Sequence, residues 1–272
     1  MSSQKQVIVL GGFDDIKSRD MRFLEEAAKL GELAVLLWPD EVLKKLTGKA
    51  PKFPLVERSY FLKAVRYVTE VIEVDTSRDF NVLPRGLSAN VWVDYEPTVN
   101  PAREKFATKS GMTYRVFTAA DLKGFPTPPP MPSVVGKKKV VATGCYDWFH
   151  SGHVRFTEEA SSYGDLYMCI GSDANVRLLK GEGHPLLPED ERRYMVGSIK
   201  FVKEALITTG SGWVDADPEI QRLKPDYYVV NEEGDKGGKR EYCEKLGIEY
   251  VVLKRKPAPG LPQRTSTELR GF

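Results

Sequence analysis

"GGFDDIKSRDMRFLEEAAKLGELAVLLWPD", Gly11 to Asp40, and "GCYDWFHSGHVRFTEEASSYGDLYMCIGSD", Gly144 to Asp173, align without a gap at an offset of 133 positions. The two share 11 identities over 30 positions, where chance gives roughly two. The match resumes after a short slip, "ERSYFLKAVRYVTEVI" from Glu57 against "ERRYMVGSIKFVKEAL" from Glu191, and "TAADLKG" from Thr118 parallels "TSTELRG" from Thr265. A period of that length repeats a whole domain rather than a solenoid unit.

Between the copies lies "GFPTPPPMPSVVGKKK", whose prolines favour an extended, semi-rigid segment without regular secondary structure. The boundaries follow as one domain over 1–124, a Pro-rich linker over 125–137 and a second domain over 138–272. Within the second copy "KVVATG", "DLYMCIG", "DYYVVN" and "EYVVLK" read as buried strands, and "EDERRYMVGSIKFV", Glu189 to Val202, as a helix. Strands alternating with helices predict an α/β fold with a parallel sheet in each copy. The ligand site of such a sheet lies beyond the carboxyl ends of its strands.

Composition excludes several classes of function. Net charge is +2 with acids and bases interspersed, which does not suit a generic nucleic-acid or anionic-lipid binder. No apolar run approaches the roughly 18 residues of a membrane span and the start carries no signal core, so the expectation is a cytoplasmic protein. The three cysteines, Cys145, Cys169 and Cys243, form no CxxC pair and suit neither a disulfide framework nor a thiolate zinc site. The last residues, ending at Phe272, leave either a short final helix or a longer natural chain.

Two of the three histidines, His150 and His153, stand directly after the first strand of copy 2, where a helix opens. That places two imidazoles about one turn apart beside the backbone N–H groups and positive dipole end of a helix, a setting for polyphosphate. Gly152 between them lets a ligand approach the backbone. At the far end Thr265 and Glu268 have capping-box spacing, with the Ser266 and Thr267 hydroxyls in the first turn, a second anion site on the sequence. Asn231 ends a strand and either reads a nucleobase or caps a turn. Lys236, Lys239 and Arg240 either grip an acceptor phosphate or begin a solvated helix.

"GCYDWFHSGH", "LLKGEGHPLLPEDERR" and "RTSTELR", in that order, resemble the cytidylyltransferase family of the HxGH nucleotidyltransferase superfamily across all of copy 2. The resemblance implies two tandem Rossmann-like nucleotidyltransferase domains arranged as an internal pseudo-dimer, with further homodimers open. It implies that His150 and His153 hold the triphosphate and stabilise the α-phosphate as it becomes pentacoordinate. Lys180 and Arg192 would neutralise charge on substrate and pyrophosphate. Gly144, Cys145, Tyr146, Asp147, Gly152, Asn231, Arg264, Thr265, Ser266 and Thr267 would surround the nucleotide, and Lys236 and Lys239 the acceptor phosphate. Magnesium would accompany the triphosphate, with Asp147 its local candidate partner and no ligand set read beyond that.

The implied reaction transfers CMP from CTP to a small phosphorylated alcohol, amino alcohol or sugar. The tandem layout and "GCYD" favour CTP. The segment "PGLPQRTST" is nearer the adenylyltransferase branch, so ATP with a sugar phosphate stands as an alternative, as does a nucleotide sensor or scaffold that only binds. In copy 1 His150 is replaced by Lys17, His153 by Asp20, Gly152 by Arg19, Lys180 by Thr47, and Ser266 and Thr267 by Ala119 and Ala120. Asp14, Phe23, Gly31, Arg58 and Leu122 still match, which predicts a first copy that folds like the second without binding nucleotide. The other reading is a repurposed anion site from Lys17, Arg19, Arg58 and Arg66.

Overall fold

Six-residue apolar runs open the two halves, β1 (Gln6–Gly11) and β6 (Lys139–Gly144), and each recruits the next strand through one helix. The computed structural model describes residues 5–75, 79 and 81–269, the side chains of 267 and 268 excepted. The first half continues α1 (Ser18–Ala28), β2 (Glu32–Leu37), α2 (Asp40–Thr47), α3 (Leu55–Ala64), β3 (Glu70–Glu73), β4 (Val91–Tyr95), α4 (Pro101–Lys109) and β5 (Thr113–Phe117). The second continues α5 (Ser151–Ser161), β7 (Asp165–Ile170), α6 (Asp173–Lys180), α7 (Glu189–Gly197), β8 (Val202–Ile207), α8 (Asp217–Leu223), β9 (Tyr227–Asn231), α9 (Lys239–Leu246), β10 (Glu249–Leu253) and α10 (Ser266–Leu269).

The sheets run β3-β2-β1-β4-β5 and β10-β9-β6-β7-β8, every pairing parallel, so the two share one topology. The fold is α/β, two tandem Rossmann-like domains. The starts of β1 and β6, α1 and α5, β2 and β7, and α2 and α6 each differ by the 133 positions of the ungapped alignment. Backbone detail repeats as well: Phe13 and Tyr146, at equivalent positions, both take positive φ, 47° and 55°. That conformation is costly for an aromatic residue, so its recurrence marks a turn that the surrounding fold imposes.

Cores form as expected for sheets covered by helices. All six residues of β7 are buried. Cys169, which the sequence places in a strand, packs with Val141, Tyr228, Val230 and Cys243 beneath Ala216 and Ile220 at α8. In the first half Ile8, Leu10, Ala34, Leu36 and Trp92 pack against Ala107 and Met112.

The helix expected over Glu189–Val202 is shorter: α7 stops at Gly197 and β8 begins at Val202. As an edge strand β8 is half-buried and carries Lys203 and Glu204, so no apolar run announces it. The chain divides into two compact units, 1–124 and 125–272. The Pro-rich stretch over 125–137 has neither helix nor strand and packs along β8 within the second unit. The Met131 N–H donates to the Lys203 carbonyl at 2.8 Å, and the Lys203 ammonium returns a bond to the Met131 carbonyl. Ser133 and Lys137 hold Asp165, and the Phe125 ring lies 5.7 Å from that of Tyr194. The edge of the sheet is thereby covered, the standard protection of an exposed strand.

Candidate active site

At Gly144 β6 ends, and its carbonyl still accepts from Gly171 N–H beyond β7. The chain then turns through Cys145 and Tyr146. A Cβ on Gly144 would lie 2.7 Å from the Tyr146 ring, so only glycine lets the tyrosine fold back over the strand end. Tyr146 and Phe149 enclose His153, at 5.4 Å edge-on and 5.3 Å stacked.

His150 is itself the N-cap of α5. Its Nδ1 accepts from Gly152 N–H at 3.1 Å, and its carbonyl accepts from His153 N–H at 2.9 Å. The helix N-terminus is therefore spent partly on the histidine rather than left open to a ligand, which corrects the simple dipole reading. Gly152 lines the cavity and has a second reason to be glycine: a Cβ there would fall 2.9–3.0 Å from the His150 ring. The two imidazoles lie 4.1 Å apart.

Burial and nearby positive charge keep both rings neutral at neutral pH. Desolvation, then Arg255 and Arg264, push His150 down to about 4. Desolvation, His150, Arg255 and Lys180 hold His153 well below its ordinary value. Because Nδ1 of neutral His150 accepts, its proton resides on Nε2, and that nitrogen is buried without a partner, as is Nδ1 of His153. Unpaired buried polar atoms are expensive, and here both belong to residues that line a cavity of about 530 Å³.

The cavity collects residues from several loops at one sheet edge. Gly144, Cys145, Tyr146, Asp147 and Gly152 line it, as do Asn231, Arg264, Thr265 and Ser266. Lys180, at the last turn of α6, reaches it, and Lys236 and Lys239 close another side. The Thr267 side chain lies outside the described residues, as does that of Glu268, so the capping box at Thr265 is not followed further. Sequence reasoning missed Lys254, Arg255, Lys256 and Glu233, which also line the cavity. The signal was present as "KRKP" directly after β10, at the edge where such sheets bind ligands.

Two expected roles change. Arg192 is fully buried, and its guanidinium donates to the Leu187 and Cys145 carbonyls and to Asp173. It cannot reach a phosphate from there. Arg58 makes the equivalent bonds in the first unit, to Phe53, Gly12, Trp38 and Asp40, so this is a framework arginine of both copies.

Asp147 is 3% exposed and gives one oxygen to the N–H groups of Leu186 and Leu187, while the other faces His184 at 3.5 Å. Asp14 accepts the Lys52 and Phe53 N–H groups in the same way. No group of three His, Cys, Asp or Glu among the described residues is placed to hold a metal ion by protein side chains alone. Asn231 caps its turn, its Oδ1 accepting from Gly234 N–H at 3.0 Å, and also lines the cavity.

The matching corner of the first unit is wired differently. Lys17 N–H donates to the Asp20 carboxylate at 2.8 Å, and the Lys17 ammonium pairs with Asp15 at 2.9 Å. Burial raises the Asp20 pKa. Thr118 and Asp121 form the reciprocal bonds of their capping pattern, yet close only a turn.

A family model described as cytidylyltransferase-like matches residues 141–270. The FAD synthase of Ferroglobus placidus is 38% identical over 120 residues, 43% of this chain and 75% of that protein. The bifunctional protein HldE of Aliarcobacter butzleri is 35% identical over 121 residues, but the chain spans only 24% of its length. Among solved structures, a lipopolysaccharide core biosynthesis protein from Thermoplasma volcanium aligns with 45% of this chain and 98% of its own at 22% identity and TM-score 0.38. With a histidine pair at the first strand end of its second half, a family model matching residues 141–270 and a relative 38% identical over 75% of that protein, the chain belongs to the cytidylyltransferase-like family of nucleotidyltransferases.

Proposed function

We propose that the second unit transfers a nucleoside monophosphate from a nucleoside triphosphate to the phosphate of a small phosphorylated metabolite, releasing pyrophosphate. The observation that carries this reading is the pair of neutral imidazoles with unpartnered buried nitrogens at the wall of a cation-lined cavity. An acceptor phosphate oxygen attacks the α-phosphorus, and the bond to the bridging oxygen breaks with its electron pair leaving on pyrophosphate. The nucleophile is already ionised, so the protein's task is positioning and charge stabilisation. His150 Nε2–H and His153 meet the α-phosphate, Lys180 and Arg264 the outer phosphates, with Thr265 and Ser266 beside them. Magnesium enters only as the chelate of the triphosphate, and no step here is assigned to it.

The family resemblance and the tandem layout point to CTP as donor. The 38% identical relative is named for FAD, a product that contains an adenylyl group, and this favours ATP. We take ATP as the donor, with CTP the competing reading. The first unit, on this reading, is non-catalytic: Asp20 puts a carboxylate where His153 stands, and Arg58 and Lys17 are already engaged within the fold. Its use would be to close an internal pseudo-dimer with the second. The test is pyrophosphate release with each of the four ribonucleoside triphosphates against a panel of phosphorylated alcohols, amino alcohols and sugars. Release with ATP and one acceptor class supports the reading, release with CTP alone reassigns the donor, and no release with any pair leaves a binding role.

A further inference from the structure

Charge around the cavity narrows the acceptor. Of the carboxylates that line it, Asp147 is tied to the Leu186 and Leu187 backbone, Glu159 holds Arg155 and Glu233 holds Arg255. On the other side of the balance, Lys180, Lys236, Lys254 and Lys256 line the same cavity, and among the described residues none has a carboxylate at ion-pair distance. A triphosphate can satisfy part of this surplus. What it leaves faces the second substrate.

The aromatic rings nearby do not by themselves exclude an ammonium. A quaternary or primary ammonium is ordinarily held over an open aromatic face. Trp213 stands against the backbone of Gly237, where a Cβ would lie 2.7 Å from it, and its ring already carries the Lys236 ammonium at 5.4 Å. Tyr250 carries the Arg240 guanidinium at 4.8 Å. Tyr146 and Phe149 are packed on His153. Trp213 and Tyr250 lie outside the cavity lining and Phe156 within it, so the exclusion of an ammonium rests on charge: each lining carboxylate is already bound within the fold, and like charge set against a wrong ligand is a recognised source of specificity.

We infer, resting on the nucleotidyl-transfer reading, that the acceptor is a phosphate ester whose remainder is neutral or acidic, such as a polyol, sugar or carboxylic acid phosphate, and not a phosphorylated amino alcohol. Calorimetric titration of the full chain, saturated with α,β-methylene ATP or CTP, tests this with five probes. Glycerol 3-phosphate, ribose 5-phosphate and 3-phosphoglycerate carry neutral or acidic remainders, and phosphoethanolamine and phosphocholine cationic ones. At least one of the first three is expected to bind tenfold or more tighter than either amino alcohol phosphate, and Lys236→Glu to narrow that gap. An amino alcohol phosphate binding as tightly as the best of the others, or no binding by any of the five, overturns the inference. Pyrophosphate release in parallel separates the two levels: the expected rank order without release defeats the transfer reading and leaves the ligand class standing.

Discussion

At the scale of single residues, His150 does two things that substitution can separate. Its Nδ1 caps α5, while Nε2 is buried without a partner and is the atom proposed to meet the substrate. Asparagine is a good N-cap without an imidazole, so His150→Asn should keep stability within about 1 kcal/mol of the parent, whereas His150→Ala should cost about 1 kcal/mol in urea unfolding. Both should reduce turnover by roughly 100-fold or more, the usual loss of a donor aimed at developing charge. A His150→Asn variant with near-normal turnover would remove the imidazole from the mechanism. The same ring predicts a pH dependence. Its folded pKa of about 4 lies below the ordinary 6.5, so between those values the unfolded chain binds more protons than the folded one. The stability contributed by neutral His150, and by His153 in the same sense, is complete above the ordinary value and drains away as pH falls toward 4. Urea midpoints of the parent should drop over that window and those of His150→Asn should drop less.

At the scale of elements, the loop that joins α6 to α7 is held by one buried arginine, and the counterpart loop between α2 and α3 by another. Arg192 and Arg58 tie the turn after β6 or β1, the loop, and the first residue of the helix that precedes that loop (α6 or α2) into one knot. Arg192→Met and Arg58→Met should each lower the stability of their own unit by about 2–4 kcal/mol, mostly because the loop and turn carbonyls lose their donor, the partly exposed Asp173 and Asp40 adding little. Hydrogen exchange resolved by peptide would place each loss in the mutated unit; a loss confined to Arg192→Met would reopen a substrate role for that arginine. The arginine also shows where sequence legibility ends. The repeat, the parallel sheets and the histidine pair were readable because apolar runs and a 133-residue offset are local patterns. Whether an arginine shared by both copies faces phosphate, or two carbonyls and a carboxylate of its own fold, depends on loop geometry, and β8 was hidden because an edge strand need not be apolar. The basic run after β10 was visible but was not connected to the site, since the fold brings β10 and β6 to the same edge only through β9.

At the scale of the whole chain, a net charge of +2 conceals a strong local concentration of cations around one cavity of the second unit. The duplication separates what builds the fold from what is proposed to meet the ligand, because both units keep the positive-φ turn, the aspartate that accepts two loop N–H groups and the arginine knot. Asp14 and Asp147 bind the same kind of backbone, yet Lys17 and Asp20 replace the imidazoles with an ion pair and a buried carboxylate. If the division of labour is as proposed, removing the Lys17 side chain takes away an exposed pair with Asp15, and exposed pairs are worth about 0–1 kcal/mol. Lys17→Ala should therefore leave the turnover of the full chain within about twofold of the parent. His153→Ala in the same chain should lower it by about 100-fold or more while nucleotide still binds through the cavity's lysines and arginines. A comparable loss from Lys17→Ala, measured as kcat under saturating triphosphate and acceptor, would mean that the first unit takes part in the reaction.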